Sequence, residues 1–400
     1  MATGIQLGFV SKPDRPFLPD INDFPSKIGG KPVWLNPEYP LDVEEVRCGI
    51  CNKPMVLLLQ IYAPEDVPAE AYHRCVYLFC CKDGKCHKQS QEKSFKVYRS
   101  QLPKINKYYP ESQKLPAGQY PKDVKVAPLC KVSGFLGSKQ CSKCKSENYS
   151  CRDCQIFHWN NAYHKRICCN TNEKESLILM QLETKALESY LFPEYELVSE
   201  EEPPSDILKE NEKYDISKFS NAIDPKILKD FNVNEEDCED TEVDVDKAFL
   251  KFEKRIAREP SQILRYARLH YNQEDAEPLW VCQDNKPTEI KNCPYCGEKC
   301  TFEFQIMPQL LNYLNLDNKN PDSLDWGTVA VYTCNANCQP KDKHYMEGYV
   351  YHQYFSNDGL NKRFKAIDIK QKIESGALTK EEIERIMKIK KEKDAAKTNN

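Results

Sequence analysis

Twenty cysteines stand in a chain of 400 residues, and many of them fall in C-x-x-C pairs: Cys48/Cys51, Cys141/Cys144, Cys151/Cys154 and Cys293/Cys296. A C-x-x-C turn presents two thiolates to one side of an ion, and zinc closes its coordination with four sulfur or nitrogen ligands in a tetrahedron. Two such knuckles from distant strands complete a closed site. In the opening segment the expected set is Cys48, Cys51, Cys81 and Cys86, with Cys80 a rival for Cys81 and His87 a rival for Cys86. In the last third it is Cys293, Cys296, Cys334 and Cys338. Cys334 has no competing neighbour, which favours Cys81 over Cys80 at the matching place. Between them lies a dense block: Cys130, Cys141, Cys144, Cys151, Cys154, His164 and Cys168, with Cys169 adjacent. His164 and Cys168 have helical spacing and share one face, so with Cys141 and Cys144 they make a four-ligand set. The isolated Cys75, Cys238, Cys282 and Cys300 read as buried thiols.

Closed Cys-rich sets stabilise folds, whereas catalytic zinc keeps three protein ligands and an open water position. The chain has no H-E-x-x-H, no G-x-S-x-G and no P-loop, and only seven histidines. The expectation is therefore a protein that is not an enzyme. Many paired thiols fit a reducing compartment, where disulfides rarely persist. The opening MATGIQLGFVSKPDRP lacks a basic stretch followed by an apolar core, so no secretory signal is read. No apolar run reaches membrane-spanning length. The cytoplasm is expected, and the nucleus with it. A net charge of −4 argues against direct nucleic-acid binding.

The elements that must position these ligands are β-rich. CGICNKPMVLLLQIY (from Cys48) reads as a knuckle followed by a buried strand, and YHRCVYLFCCKDGKCH (from Tyr72) as a strand ending in a second knuckle. The later CPYCGEKCTFEFQIMPQLL and WGTVAVYTCNANC repeat these features in the same order. The fold class expected is α+β, β-rich: two related zinc-pinned β lobes with an inserted zinc finger and an acidic linker. The divisions are an N-terminal lobe (1–128), a finger (130–169), a helical connection (170–197), an acidic disordered linker (198–245), a C-terminal lobe (246–365) and a charged helical tail (366–400). Within the second lobe, residues 246–270 read as helical on both sides of Pro260, with an apolar stripe of Phe249, Phe252, Ile256, Ile263 and Leu264. Thr379 and Glu382 form a capping box for a tail helix.

The central block, CSKCKSENYSCRDCQIFHWNNAYHKRIC, resembles a MYND zinc finger, a small fold that binds two interleaved ions. More broadly, the chain resembles the programmed cell death protein 2 family. The residues that carry this are the early LGF, FPSKIGGKPVWL, LLLQIYAP, YHRCVYLFCC, the MYND block, EPSQILRYAR, EFQIMPQLLNYL and DWGTVAVYTC. Two MYND positions depart from the pattern: Ser133 and Ser150 stand where cysteines are expected. Both fall on one ion, nominally held by Cys130, Ser133, Ser150 and Cys154. One ion is expected at Cys141, Cys144, His164 and Cys168. The other is expected to be absent, or held through Cys151 in a distorted geometry.

The resemblance implies a zinc-binding chaperone or adaptor. It would capture a newly made small-subunit ribosomal protein, of the uS-five type, and support 40S subunit biogenesis. Acidic residues near Glu200-Glu201-Glu202 and Glu235-Glu236-Asp237 could screen such a basic client, and sheet edges could bind an extended segment by strand addition. The alternative is an adaptor that docks other proteins through the MYND finger, in transcription regulation, cell proliferation or cell death control. Lysines 388, 390, 391 and 393 are interleaved with acids and read as a solvated helix.

Overall fold

The computed structural model describes residues 4–14, 16–20, 24–110, 115–168, 170, 172–203, 247–268, 277–283, 285–317, 319–320 and 322–354. Most of the linker expected at 198–245, the charged tail at 366–400, Cys169 and Cys238 lie outside them.

Strands form where β-branched and aromatic residues run together: β3 (Val56–Tyr62), β4 (His73–Cys80), β5 (Phe95–Leu102), β10 (Cys300–Ile306), β11 (Thr328–Cys334) and β13 (Tyr349–Gln353). Shorter strands are β1 (Gln6–Ser11), β2 (Lys27–Ile28), β8 (Tyr195–Glu201), β9 (Leu264–Tyr266) and β12 (Met346–Glu347), with β6 (Lys139–Gln140) and β7 (Asn148–Tyr149) apart as a small hairpin. Among the described residues helices are few: α1 (Gly84–Gln89), α2 (Arg152–Asn161), α3 (His164–Ile167), α4 (Glu173–Tyr190) and α5 (Lys247–Ile256).

Eleven strands make one sheet in the order β12-β5-β4-β3-β2-β8-β1-β9-β10-β11-β13. The outermost strands, β12 and β13, are separated in sequence only by Gly348, so the sheet nearly closes on itself. A Cβ at Gly348 would come within 2.5 Å of the Tyr332 carbonyl oxygen. Only glycine lets the chain pass between β5 and β11 there.

The two halves of the chain therefore do not stand apart as separate lobes. They are two arcs of one sheet, meeting where β8 pairs with β1. Outward from that pair the two arcs run in matching order, β2-β3-β4-β5 on one side and β9-β10-β11-β13 on the other. The register of β3 slips between Leu57 and Leu59, and that of β10 between Phe302 and Phe304, each bulge at the same offset from its C-x-x-C pair. A bulge re-aims the side chains around it. Near closure also leaves few sheet edges for strand addition.

Side chains alternate across the sheet. Val76, Leu78 and Cys80 of β4 face an interior core shared with Val329, Val331 and Val350 from the other arc. Cys75, Tyr77 and Phe79 face an outer layer built with Trp34, Phe135 and the central Cys-rich block. Ala330, Tyr332, Tyr349 and Tyr351 face a second outer layer under Trp280 and Ile290.

Two expectations about elements change. Residues 195–201 are strand β8, paired with β1 and β2, not the end of a connection and the start of a linker. Helix α5 ends before Pro260, and the stripe residue Leu264 beyond it opens strand β9 between β1 and β10. The partner strands override the helical period there.

Candidate metal centres

Three knuckles share one local construction. After the second cysteine of Cys48/Cys51, Cys141/Cys144 and Cys293/Cys296 stands a residue with positive φ: Asn52 (57°), Lys145 (57°) and Gly297 (80°). Its amide donates back to the carbonyl of the first cysteine, at 3.0, 3.0 and 2.9 Å. The first cysteine's own amide closes the loop onto Lys53, Glu147 or Glu298 at 2.8–3.0 Å. This tight reversal sets two thiols side by side.

Each knuckle meets a second pair of ligands. Cys48, Cys51, Cys81 and Cys86 place their sulfurs within 4.8 Å of one another, and so do Cys293, Cys296, Cys334 and Cys338. Individual separations are 3.8 Å for Cys51–Cys81, 3.5 Å for Cys293–Cys338 and 3.6 Å for Cys296–Cys334. Four sulfurs at about 2.3 Å from a central ion would lie roughly 3.8 Å apart, so both sets fit a tetrahedral thiolate site. Cys81 joins the first set while its neighbour Cys80 faces the interior core.

The third set is Cys141, Cys144, His164 and Cys168, with Cys144 Sγ 3.7 Å from His164 Nε2. Helix α3 carries His164 and is capped by Cys168. These three groups could hold metal ions, and all eighteen described cysteines are free of disulfides.

Cys130, Cys151 and Cys154 are buried but are not among the groups whose ligand atoms all lie within 4.8 Å of one another. Hydrogen bonding to Cys154 holds the thiols of Cys130 and Cys151 down, to about 4 and about 6. Ser133 and Ser150, also buried, pair their hydroxyls at 3.1 Å, and Ser150 Oγ donates to Cys154 Sγ at 3.5 Å. Hydrogen bonds thus link these hydroxyls and thiols where the resemblance expects the second ion. Of the isolated cysteines, Cys75 and Cys282 are buried and Cys300 is half-buried.

Sequence reasoning missed the groups behind these ligands. His158 and Glu183, both buried, pair at 2.6 Å, and the His158 ring stacks 4.5 Å from that of His164. Glu183 is carried by α4, outside the Cys-rich block. Asn337, just before Cys338, has φ 48°, and its Oδ1 accepts from Arg74 Nε (3.0 Å), Arg99 Nη1 (3.2 Å) and Arg268 Nη2 (3.1 Å). Arg99 also donates to the Cys338 carbonyl at 2.7 Å, and burial, with Arg74 alongside, pulls its guanidinium down to about 10. The C-terminal ligand loop is therefore tied to β4 and β5 of the other arc.

A further repeat was also missed. Gln60 accepts from the amide of Val33 at 2.9 Å, and Gln305 accepts from that of Leu279 at 2.7 Å. Each partner lies in a Pro-x-Trp segment, Pro32-Val33-Trp34 or Pro278-Leu279-Trp280. The buried carboxamide of each arc clamps the segment that covers that arc.

The chain matches the family model described as "Programmed cell death protein 2, N-terminal domain" over residues 4–115, and the model of that protein's C-terminal domain over residues 246–354. "Programmed cell death protein 2" of Bos taurus is 36% identical over 84% of this chain and 92% of its own length. The Mus musculus protein of the same name is 34% identical over 87% and 96%. "Probable 20S rRNA accumulation protein 4" of Schizosaccharomyces pombe is 23% identical over 86% of this chain and 95% of its own length. No solved structure matches. With matched models covering both arcs of the sheet and relatives aligned along most of the length, the chain belongs to the programmed cell death protein 2 family.

Proposed function

We propose that this protein is a non-catalytic, zinc-binding chaperone or adaptor that captures a newly made small-subunit ribosomal protein and supports 40S subunit biogenesis. The observation that carries the ribosomal part is the likeness, over most of the chain, to a protein named for 20S rRNA accumulation. The non-catalytic part is supported by the ligand sets. Each of the three gathers four sulfur or nitrogen donors, which leaves no open position for a reacting water.

A holding role suits the surface as well. Glu200 and Glu201 are exposed at the end of β8, where they can meet a basic client before RNA neutralises it. Glu202 does not join them: it is buried against Arg255 and Arg265. Glu235, Glu236 and Asp237 lie outside the described residues.

The test is affinity purification of the full chain from ribonuclease-treated lysate, with partners identified by mass. Strong co-enrichment of one small-subunit ribosomal protein is expected, and it should persist when residues 130–169 are deleted. Absence of any ribosomal protein would refute the reading. Loss of the client with the deletion would move binding from the sheet to the finger.

A further inference from the structure

The central set, Cys141, Cys144, His164 and Cys168, is backed by a carboxylate from outside the Cys-rich block. Glu183 stands in the middle of α4 and is only 5% exposed. Burying a carboxylate is costly unless it is paired and hydrogen-bonded, and both of its oxygens are engaged.

Glu183 Oε1 lies 2.6 Å from His158 Nε2, and the other ring nitrogen of His158 lies 2.9 Å from the Tyr149 hydroxyl. A ring tied at both nitrogens does not turn. That ring stacks on His164, with centres 4.5 Å apart and planes 19° from parallel. The rings of Tyr149 and Trp159 meet His164 edge-on, at 6.4 and 5.8 Å. Neighbouring rings therefore set the plane of the ligand imidazole. His158 and Glu183 also come close enough to His164 to form a three-donor group. With both His158 nitrogens taken, they back the ligand rather than hold an ion.

The second oxygen serves the other half of the set. Glu183 Oε2 pairs with Lys131 Nζ at 3.5 Å, and the same ammonium reaches Glu147 Oε1 at 3.7 Å. Glu147 is the residue whose carbonyl closes the Cys141 knuckle, at 2.9 Å.

The far end of α4 leads to a second centre. The last carbonyls of a helix have no partner within it. Lys82 Nζ donates to those of Ser189, Tyr190 and Leu191 at 3.2, 3.2 and 3.1 Å, a cation where the helix dipole favours one. Lys82 directly follows Cys81, a member of the first set.

We propose that Glu183 is a positioning residue for the central set, acting through His158 and Lys131, and that α4 is a strut tying that set to the first one through Lys82. The inference rests on the reading that these sets bind a metal of the zinc class. Removing a group that orients a metal ligand lowers metal affinity by about 10–100-fold without touching the ion.

The test loads the full chain with cadmium-113 under reducing conditions and follows its nuclear resonances during challenge with a chelator. An ion held by three sulfurs and one imidazole resonates apart from one held by four sulfurs, so the central set reports separately. Glu183→Ala should release that ion at least about tenfold faster than the unsubstituted protein. Glu183→Gln, whose amide oxygen still accepts from His158, should recover most of the loss. Lys82→Met, an exposed change that touches no member of the central set, should speed the same release several-fold. The C-terminal set should keep its rate throughout. If Glu183→Ala does not fold, His158→Phe takes its place with the same expectation, since it keeps a stacked ring and cuts the tie to Glu183. An unchanged central rate in Glu183→Ala or in Lys82→Met, no recovery in Glu183→Gln, or an equal acceleration at every set would overturn the proposal. Absence of the imidazole-type resonance from the unsubstituted protein would overturn the metal reading, and this inference with it.

Discussion

Arg74 and Glu303 form a two-pronged ion pair inside the sheet, Nη1 to Oε1 at 2.7 Å and Nη2 to Oε2 at 2.6 Å, with both side chains fully buried. One comes from β4 and the other from β10, strands on opposite arcs, so the pair crosses the interior and locks the two halves of the chain together. Glu303 stands in the β10 bulge, at the place where the β3 bulge carries the apolar Leu58. Tyr266 and Thr333 donate further hydrogen bonds to it, and Arg268 adds an ion pair at 3.4 Å.

Removing one partner leaves the other charge buried and unpaired, which costs about 3–5 kcal/mol. Arg74→Met and Glu303→Leu should each lower the unfolding free energy by that amount, read from a lower urea midpoint at unchanged slope. The double variant should recover part of the loss. Equal midpoints for Arg74→Met and the unsubstituted protein would show that the pair does not join the arcs.

The same pair sets an acid limit. Burial alone would raise the Glu303 carboxyl, but Arg74 and Arg268 outweigh it and hold the group at about 2. An unfolded glutamate titrates near 4.3. The contribution is therefore fully present above about pH 4.3 and is lost as pH falls through about 2. Glu303→Gln should be less stable by a constant margin from pH 7 to about 4.5, and the gap should then narrow. The check is unfolding free energy against pH for both proteins; a gap that widens in acid would contradict the assignment.

Gln60→Ala and Gln305→Ala strip the same bond from corresponding places, leaving the buried amides of Val33 and Leu279 without an acceptor. Each should cost roughly 1–3 kcal/mol. Hydrogen exchange should accelerate at Val33 in one variant and Leu279 in the other. Unchanged protection at both would show that the covering segments are held by packing alone.

The serines of the central Cys-rich block predict a gain. Ser133 and Ser150 lie beside Cys154 and Cys130. Changing both to cysteine supplies thiolates, which ionise far more readily than hydroxyls. The double variant should bind one more equivalent of zinc, measured by emission spectroscopy. An unchanged ratio in folded protein would show that the site is already filled or cannot close.

The clusters that could hold metal were legible because C-x-x-C pairs set thiols at short, regular spacings, and the neighbouring Cys80 and Cys81 are separated by simple strand alternation. The single sheet was not. Two similar arcs look like two lobes in sequence, because nothing local records that β8 and β1 bridge them. Strand β8 hid in YELVSEE, whose acidic end looked like solvated linker, and β9 hid in a stretch with helical spacing. Glu183, Asn337 and the Arg74–Glu303 pair depend on contacts across more than a hundred residues or between unrelated segments, which no spacing rule reports. The Pro-x-Trp repeat was visible, but its meaning needed the buried glutamines that bind it.

The central claim is that metal bound by thiolates and His164 pins this sheet into a rigid holding surface. It is tested most directly by removing zinc under reducing conditions with a strong chelator while following metal content and near-ultraviolet circular dichroism together. The account predicts that tertiary signal disappears in step with the metal and returns when zinc is restored. A metal-free protein that keeps its tertiary signal and unfolds cooperatively would contradict it.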